Sequence, residues 1–123
     1  MNVMKGAILD LVYDNGEVTF GQLDREVPGF EDRGEQGGCL TMPDNENCVL
    51  WVAVSPDAAA ALKQLLAEGL IRIASTSPWT YLSRNEGLDL PVAEHGPAEP
   101  YDEPTWLPVT IRANVTFEGR MAS

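Results

Sequence analysis

The sequence predicts an α+β fold for this chain of 123 residues. Three observations support that fold class: apolar residues recur at helical spacing in three segments, β-prone apolar runs lie between and after them, and the length is that of one domain. The composition, 44% hydrophobic and 22% charged, is typical of a chain that folds around a core. We therefore predict that residues 1–123 form a single domain.

The first helix is predicted over residues 4–12, because apolar side chains recur there every three or four positions. Asn15-Gly16 ends this helix, and residues 17–18 form a brief strand. The side chains that this helix is expected to bury are Met4, Ala7, Ile8, Leu11 and Val12.

The second and third helices are predicted from their end signals. Thr19 and Gln22 form a capping-box pattern at the start of the second helix, which ends before Pro28. Residues 55–57, Ser-Pro-Asp, begin the third helix, and Gly69 ends it. The predicted core positions of these helices are Phe20, Leu23, Val27, Ala58, Ala59, Leu62, Leu65 and Leu66.

Between these two helices the sequence predicts a long acidic loop followed by a strand. Residues 29–48 lack a periodic apolar pattern and are rich in glycine, so we interpret them as a surface loop insertion. Residues 49–54 are continuously apolar, which favours a strand buried on both faces. The loop holds five carboxylates: Glu31, Asp32, Glu35, Asp44 and Glu46.

The C-terminal half predicts further β structure. Residues 70–74 and 79–82 are β-prone and flank a four-residue turn, the layout of a hairpin, and residues 88–92 alternate as a short strand. The segment 94–108 holds four prolines and is expected to run extended to an anchor at Trp106, with an alternating, half-buried strand over 109–117. Its carboxylates are Glu94, Glu99, Asp102 and Glu103.

The order helix, short strand, helix, helix, hairpin resembles a winged-helix domain. The stretch AALKQLLAEGLIRIASTSPWTYL is similar to the third helix and wing of that family, with Gly69 breaking into the first wing strand. The resemblance implies three helices plus a wing hairpin, to which this chain adds at least one C-terminal strand. It also implies a third helix that reads DNA, or a surface that binds protein. Unlike the short turn usual in the family, some 27 residues separate the second and third helices here.

Charge limits the classes of partner. The net charge is -11, with 19 Asp and Glu against 8 Lys and Arg, so the chain repels phosphate backbones and anionic membranes. No apolar run approaches the ~18 residues of a membrane span, and the N-terminus lacks the layout of a secretory signal. We expect a cytoplasmic protein. The oligomeric state is left open, with a homodimer as one alternative.

No combination of residues predicts catalysis, a cofactor or a metal site. His95 is the single histidine, so a serine or cysteine nucleophile has one possible imidazole partner, and that partner lies in a proline-rich segment. Cys39 and Cys48 lack the paired spacing of a zinc site and are expected to be reduced thiols, although a disulfide between them is also possible. An enzyme would need a pocket with buried carboxylates or a bound metal.

The leading hypothesis is a non-enzymatic module whose acidic loops dock a basic surface of another protein. One form is an inhibitor that blocks a nucleic-acid groove by charge mimicry, as phage-encoded anti-CRISPR proteins do. The alternative is a winged-helix DNA-binding transcriptional regulator. The predicted partner-binding residues are Glu31, Asp32, Glu35, Asp44, Glu46, Glu94, Glu99, Asp102, Glu103 and Trp106.

Overall fold

The computed structural model describes residues 3–42, 45–93 and 101–114. Within these ranges the chain forms helices and two small sheets, so the predicted α+β class is confirmed. The elements in chain order are α1 (Val3–Asn15), β1 (Glu17–Thr19), α2 (Phe20–Glu26), β2 (Gly38–Met42), β3 (Asn45–Val54), α3 (Pro56–Ala67), β4 (Ile71–Ser75), α4 (Trp79–Leu82), β5 (Thr105–Trp106) and β6 (Val109–Ala113). None of the helices in the described ranges is long and apolar enough to span a bilayer.

The helix ends follow the predicted capping signals. The Gln22 amide donates to Thr19 Oγ1 at 3.0 Å, and the Ala58 amide donates to Ser55 Oγ at 3.2 Å. Each bond satisfies one of the amides that a helix start leaves without an intrahelical partner. After α3, Gly69 adopts φ +73, a left-handed conformation that glycine enters without steric cost. Local capping chemistry therefore sets these helix boundaries.

The first sheet has the order β1-β6-β4, and both of its pairings are antiparallel. β4 pairs with β6 over five residues, from Ile71 opposite Ala113 to Ser75 opposite Val109. The predicted hairpin between residues 70–74 and 79–82 is therefore wrong, because residues 79–82 form α4 instead. β6 offers β4 five residues of antiparallel pairing, with Val109 and Ile111 buried, whereas Ser77 Oγ accepts from the Trp79 amide and starts a helical turn.

The second sheet has the order β2-β3-β5 and occupies much of the predicted loop. The expectation of an irregular loop over 29–48 is wrong for β2 and for the start of β3. Their pairing shifts register between Gly38 and Leu40 and at both following steps, which explains why no regular apolar alternation was visible in the sequence. β5 joins in parallel through Cys48 opposite Thr105. The short strand predicted over residues 88–92 does not form. Within this segment Val92 makes one isolated bridge, with Trp106.

The core is one cluster of buried side chains contributed by both sheets and all four helices. Four aromatic rings form a continuous row through it: Phe20 stacks on Trp51 at 5.9 Å, Trp51 lies 5.5 Å from Tyr81, and Tyr81 meets Trp106 edge-on at 5.4 Å. The Tyr81 hydroxyl accepts from the Phe20 amide and donates to the Val109 carbonyl. This one hydroxyl thus links α2, α4 and β6.

Several predicted positions differ in burial from what their spacing indicated, and Met4, Ala7, Leu11 and Ala59 are half-buried rather than buried. Leu66 is 36% exposed, while Ala61, on the opposite side of the predicted stripe, is fully buried. α3 therefore faces the core through Ala58, Ala61, Leu62 and Leu65. The alternating pattern predicted for residues 109–117 places Thr110 on the solvent-facing side of that strand, but its side chain is buried and donates to Glu17 Oε2 at 2.6 Å. The part of that predicted strand beyond Asn114 lies outside the described residues.

Candidate functional site

The predicted acidic residues lie towards the two ends of β3. Glu31 forms a bridge with Val54, and the Asp32 amide donates to the Ala53 carbonyl at 2.8 Å, so both are placed beside the end of the strand. Glu46 lies at its beginning. At ~3.3 Å per residue these positions are about 20–25 Å apart, and the predicted loop therefore does not form one continuous acidic surface.

The beginning of β3 is where the two predicted acidic segments meet. Cys48 pairs with Thr105, and the Asn47 side-chain amide donates to the Tyr101 carbonyl at 2.7 Å. These contacts bring the chain before Thr105 next to the chain before Cys48. The side chains exposed there, which we call the strand-entry carboxylates, are Glu46, Asp102 and Glu103. None of them forms an ion pair within the described residues.

The other end of β3 borders a polar cleft of about 780 Å³. α2 contributes one wall, Trp51 and Val52 of β3 contribute the floor, and the turn after α4 contributes the opposite wall. The charged residues that line it are Asp24, Arg25, Glu31, Arg33, Arg84, Glu86 and Asp89. With four carboxylates against three guanidinium groups, the cleft is far closer to neutrality than the whole chain.

Asp24 and Glu31 form a carboxyl pair inside this cleft. Burial of Asp24 and the neighbouring Glu31 charge and hydrogen bond raise the pKa of Asp24 to about 6, although Arg33 and a hydrogen bond from Trp51 oppose the shift. Arg33 lies 2.7 Å from Glu31 and balances its charge. Such a pair can hold one proton near neutral pH, which makes it the most chemically distinctive group in the described residues.

Glu86 is held against α2 on the far side of the cleft. Its side chain is 13% exposed and pairs with Arg25, while its Oε1 is buried without a partner in the described part of the chain. The carboxylate lies directly over Gly21, where an added Cβ would clash with Oε1. Glycine at that position is what lets a buried carboxylate approach the helix so closely.

Trp106, predicted among the partner-binding residues, is 1% exposed. It packs edge-on against Tyr81 and cannot contact a partner in this conformation, so its assignment to the binding surface is wrong. Its expected role as the anchor of the extended segment is confirmed. Asp44, Glu94 and Glu99 lie outside the described residues, and so does His95.

The described cations are dispersed rather than gathered beside one element. Lys5 pairs with Glu68 at 2.7 Å, and Arg84 lines the polar cleft. Arg72 lies opposite Arg112 across two paired strands, where Glu17 binds Arg112 at 2.8 Å. Lys63 is placed on the exposed side of α3. The exposed side chains of the third helix are mainly those of Asp57, Ala60, Lys63, Gln64, Ala67 and Glu68.

The two cysteines are free thiols, and the predicted preference for reduced cysteines is consistent with this. Cys39 is exposed on β2, whereas Cys48 is buried between β3 and β5, and its burial raises the pKa of the thiol. Within the described residues, no three histidine, cysteine or carboxylate side chains lie close enough together to hold a metal ion.

Asp24, Trp51 and Glu86 were not recognised as site residues from the sequence. They come from three distant elements, and the fold alone brings them together. One signal was present for Asp24: it follows the buried Phe20 by one helical turn, which placed a carboxylate near the predicted core face. Nothing local marked Glu86, because its environment is set by Gly21 and Arg25 across the cleft.

Comparison with protein-family models, with curated proteins and with solved structures finds no match to this chain. Its function therefore has to be inferred from the geometry and charge described above.

Proposed function

We propose that this protein is a non-enzymatic binding module that docks a basic surface of another protein through its strand-entry carboxylates. In this proposal it acts in the cytoplasm as an inhibitor that blocks a nucleic-acid groove by charge mimicry, in the manner of phage-encoded anti-CRISPR proteins. The observation that carries the proposal is a cluster of three exposed carboxylates, none paired with a cation in the described part of the chain, at the point where the two acidic segments meet.

The balance of ion pairs supports an anionic docking surface. Fifteen of the 19 carboxylates and seven of the eight Lys and Arg residues lie in the described ranges. Four of those seven cations, Lys5, Arg25, Arg33 and Arg112, are already paired with a carboxylate. Most of the remaining negative charge faces solvent, where it can steer a positively charged partner and bind its guanidinium groups.

The position of the strand-entry carboxylates also favours docking. Glu46 is carried by a ten-residue strand, and Asp102 and Glu103 lie three and two residues before the first residue of a strand paired to it. Carboxylates fixed by paired strands lose less conformational freedom on binding than carboxylates on an unpaired loop.

The arrangement of helices and the first sheet supports a winged-helix-like scaffold. In chain order α1, β1, α2, α3, β4 and β6 follow the pattern of that family, with β6 rather than residues 79–82 as the second wing strand. The β2-β3 hairpin is inserted between α2 and α3. DNA binding is disfavoured, because α3 exposes a nearly neutral surface and the cations carried by α3 and β4 are limited to Lys63 and Arg72.

The proposal is tested by titrating a short peptide of arginine and lysine against the protein between about 50 mM and about 500 mM NaCl. The variant Glu46→Gln/Asp102→Asn/Glu103→Gln should weaken binding by about tenfold or more at low salt, because it removes the docking carboxylates. Calorimetry or fluorescence anisotropy gives the dissociation constants.

The matched control is Asp10→Asn/Asp14→Asn/Glu26→Gln, which removes three exposed carboxylates on α1 and α2 and changes the net charge equally. This variant should weaken binding by less than about threefold, since only the long-range field changes. Equal losses in the two variants would show that the peptide responds to total charge and would refute a specific docking site. Retention of random duplex DNA at low salt would favour the DNA-binding alternative instead.

A further inference from the structure

A second cavity, about 250 Å³ in volume, lies between the two sheets and α3. Its inner wall is formed by buried apolar side chains, including Phe20, Leu50 and Ile111. Its mouth is bordered by Met42 and Ile73, which are half-buried, and by Leu66, which is 36% exposed. The pocket therefore runs from the surface to the hydrophobic core, a shape suited to a small apolar molecule rather than to a flat protein surface.

The polar groups around this pocket are few and lie at its mouth. Thr41 and Lys63 are the polar residues among those that line it, and Lys63 alone is charged. Lys63 is exposed on α3 and forms no ion pair within the described residues. An ammonium group on a flexible aliphatic stem can lie along the apolar rim and turn its charge towards a bound ligand.

We propose that this pocket binds a small amphipathic carboxylate, with the hydrocarbon part inside and the carboxylate at Lys63. The volume accommodates about eight non-hydrogen atoms, counting ~30 Å³ for each as for a water molecule. Removal of the hydrocarbon from water drives binding, and the lysine ammonium selects the sign of the head group. The pocket and the strand-entry carboxylates are separate sites, so this inference does not depend on the proposed function.

The probe is octanoate, compared with octylammonium, which has the same chain and the opposite charge. Octanoate should shift the methyl resonances of Met42 and Ile73 in a saturable manner and bind about fivefold more tightly than octylammonium, as expected for one partly solvated ion pair. Lys63→Glu should reverse this order. Because Lys63 is exposed, the substitution should leave the fold intact.

Leu66→Trp tests the pocket itself, since a larger side chain at the mouth fills it. Binding of both probes should fall by about tenfold or more, whereas Leu82→Trp, which enlarges an exposed leucine outside the pocket, should leave it unchanged. Melting temperatures of both variants establish that they fold. Absence of saturable shifts at Met42 and Ile73 would overturn the site. Equal affinities for the two probes, or a Lys63→Glu variant that binds them as the parent does, would overturn the carboxylate assignment.

Discussion

The polar cleft and the strand-entry carboxylates present the same functional group in opposite settings. In the cleft, Asp24 and Glu86 are largely shielded from water and lie against Trp51, Arg25 and Gly21. At the strand entry, the three carboxylates are exposed and have no ion pair within the described residues. The comparison shows that burial and pairing, rather than the number of acidic residues, determine which charges can reach a partner.

The two regions should therefore respond differently to substitution. Cleft residues contact the aromatic row of the core, so changes there should alter the free energy of unfolding and its pH dependence. Strand-entry carboxylates contact solvent, so changes there should alter association and leave folding almost unaffected. A strand-entry variant that unfolds easily, or a cleft variant without effect on stability, would break this distinction.

The largest effect on stability is expected from Tyr81→Phe, behind the floor of the cleft. Loss of the hydroxyl leaves the Phe20 amide and the Val109 carbonyl without their partner in the core, which should lower the free energy of unfolding by about 2 kcal/mol. Urea denaturation measures the change. Tyr13→Phe is the control: its half-buried hydroxyl donates a longer bond, 3.3 Å to the Leu70 carbonyl, and the loss of that bond should cost less than about 1 kcal/mol. Equal costs would contradict the linking role of Tyr81.

A smaller, pH-dependent effect is expected from Asp24→Asn. Burial raises the pKa of Asp24 from 3.8 to about 6, so its protonated form stabilises the fold fully below about pH 4, and this stabilisation is lost as pH rises through 6. Asparagine stays neutral, so the free energy of unfolding of the variant should be about 1 kcal/mol higher than that of the parent at pH 7.5. This value is smaller than the pKa shift alone would give, because Asp24 is partly exposed to solvent. Chemical denaturation at several pH values measures the difference.

Glu17→Gln provides a control of opposite sign. The hydrogen bond from Thr110 lowers the pKa of Glu17 below 4.5, so this carboxylate stabilises the protein above that pH and stops doing so as the pH falls through its lowered value. The glutamine variant should consequently be less stable than the parent at pH 7.5. A parallel pH profile for the parent and Asp24→Asn would rule out the carboxyl pair as the source of the dependence.

The smallest effect on folding is expected from the strand-entry variant Glu46→Gln/Asp102→Asn/Glu103→Gln. Its free energy of unfolding should lie within about 0.5 kcal/mol of the parent value, since exposed charges without ion pairs contribute little to stability. A slight gain is expected from reduced repulsion in a chain of net charge -11. Thermal and urea denaturation measure the free energy of unfolding. A decrease of more than about 1 kcal/mol would indicate that these exposed side chains make stabilising contacts.

The helices α1, α2 and α3 were predictable from the sequence because their signals are local, whereas the residues of α4 were predicted as a strand. Thr19 and Ser55 cap the helices that follow them, and Gly69 ends α3 through a backbone conformation that other residues avoid. Strand pairing was less predictable, because β4 has two candidate partners and the correct one, β6, lies beyond α4 and the whole segment that follows it. Sequence proximity favoured residues 79–82, but β6 pairs with β4 over five residues and buries Val109 and Ile111 in the core.

The candidate sites were predictable only in part. Exposed acidic residues such as Glu46 and Asp102 were recognised from composition, because a run of carboxylates in a polar segment is exposed in most folds. The meeting of the two segments depends on the Cys48–Thr105 pairing, which no local pattern encodes. The cleft was missed for the same reason, since Asp24 and Glu86 become neighbours through packing of α2 against the turn after α4.

The most direct test of the docking surface is to map where a basic peptide binds. The peptide of arginine and lysine is titrated into isotopically labelled protein at low salt. The amide chemical shifts then report binding at each residue separately. The largest shifts are predicted at 45–48 and 101–105, and they should disappear in the strand-entry variant. Shifts concentrated in α2 and residues 84–89, around the polar cleft, would contradict the account.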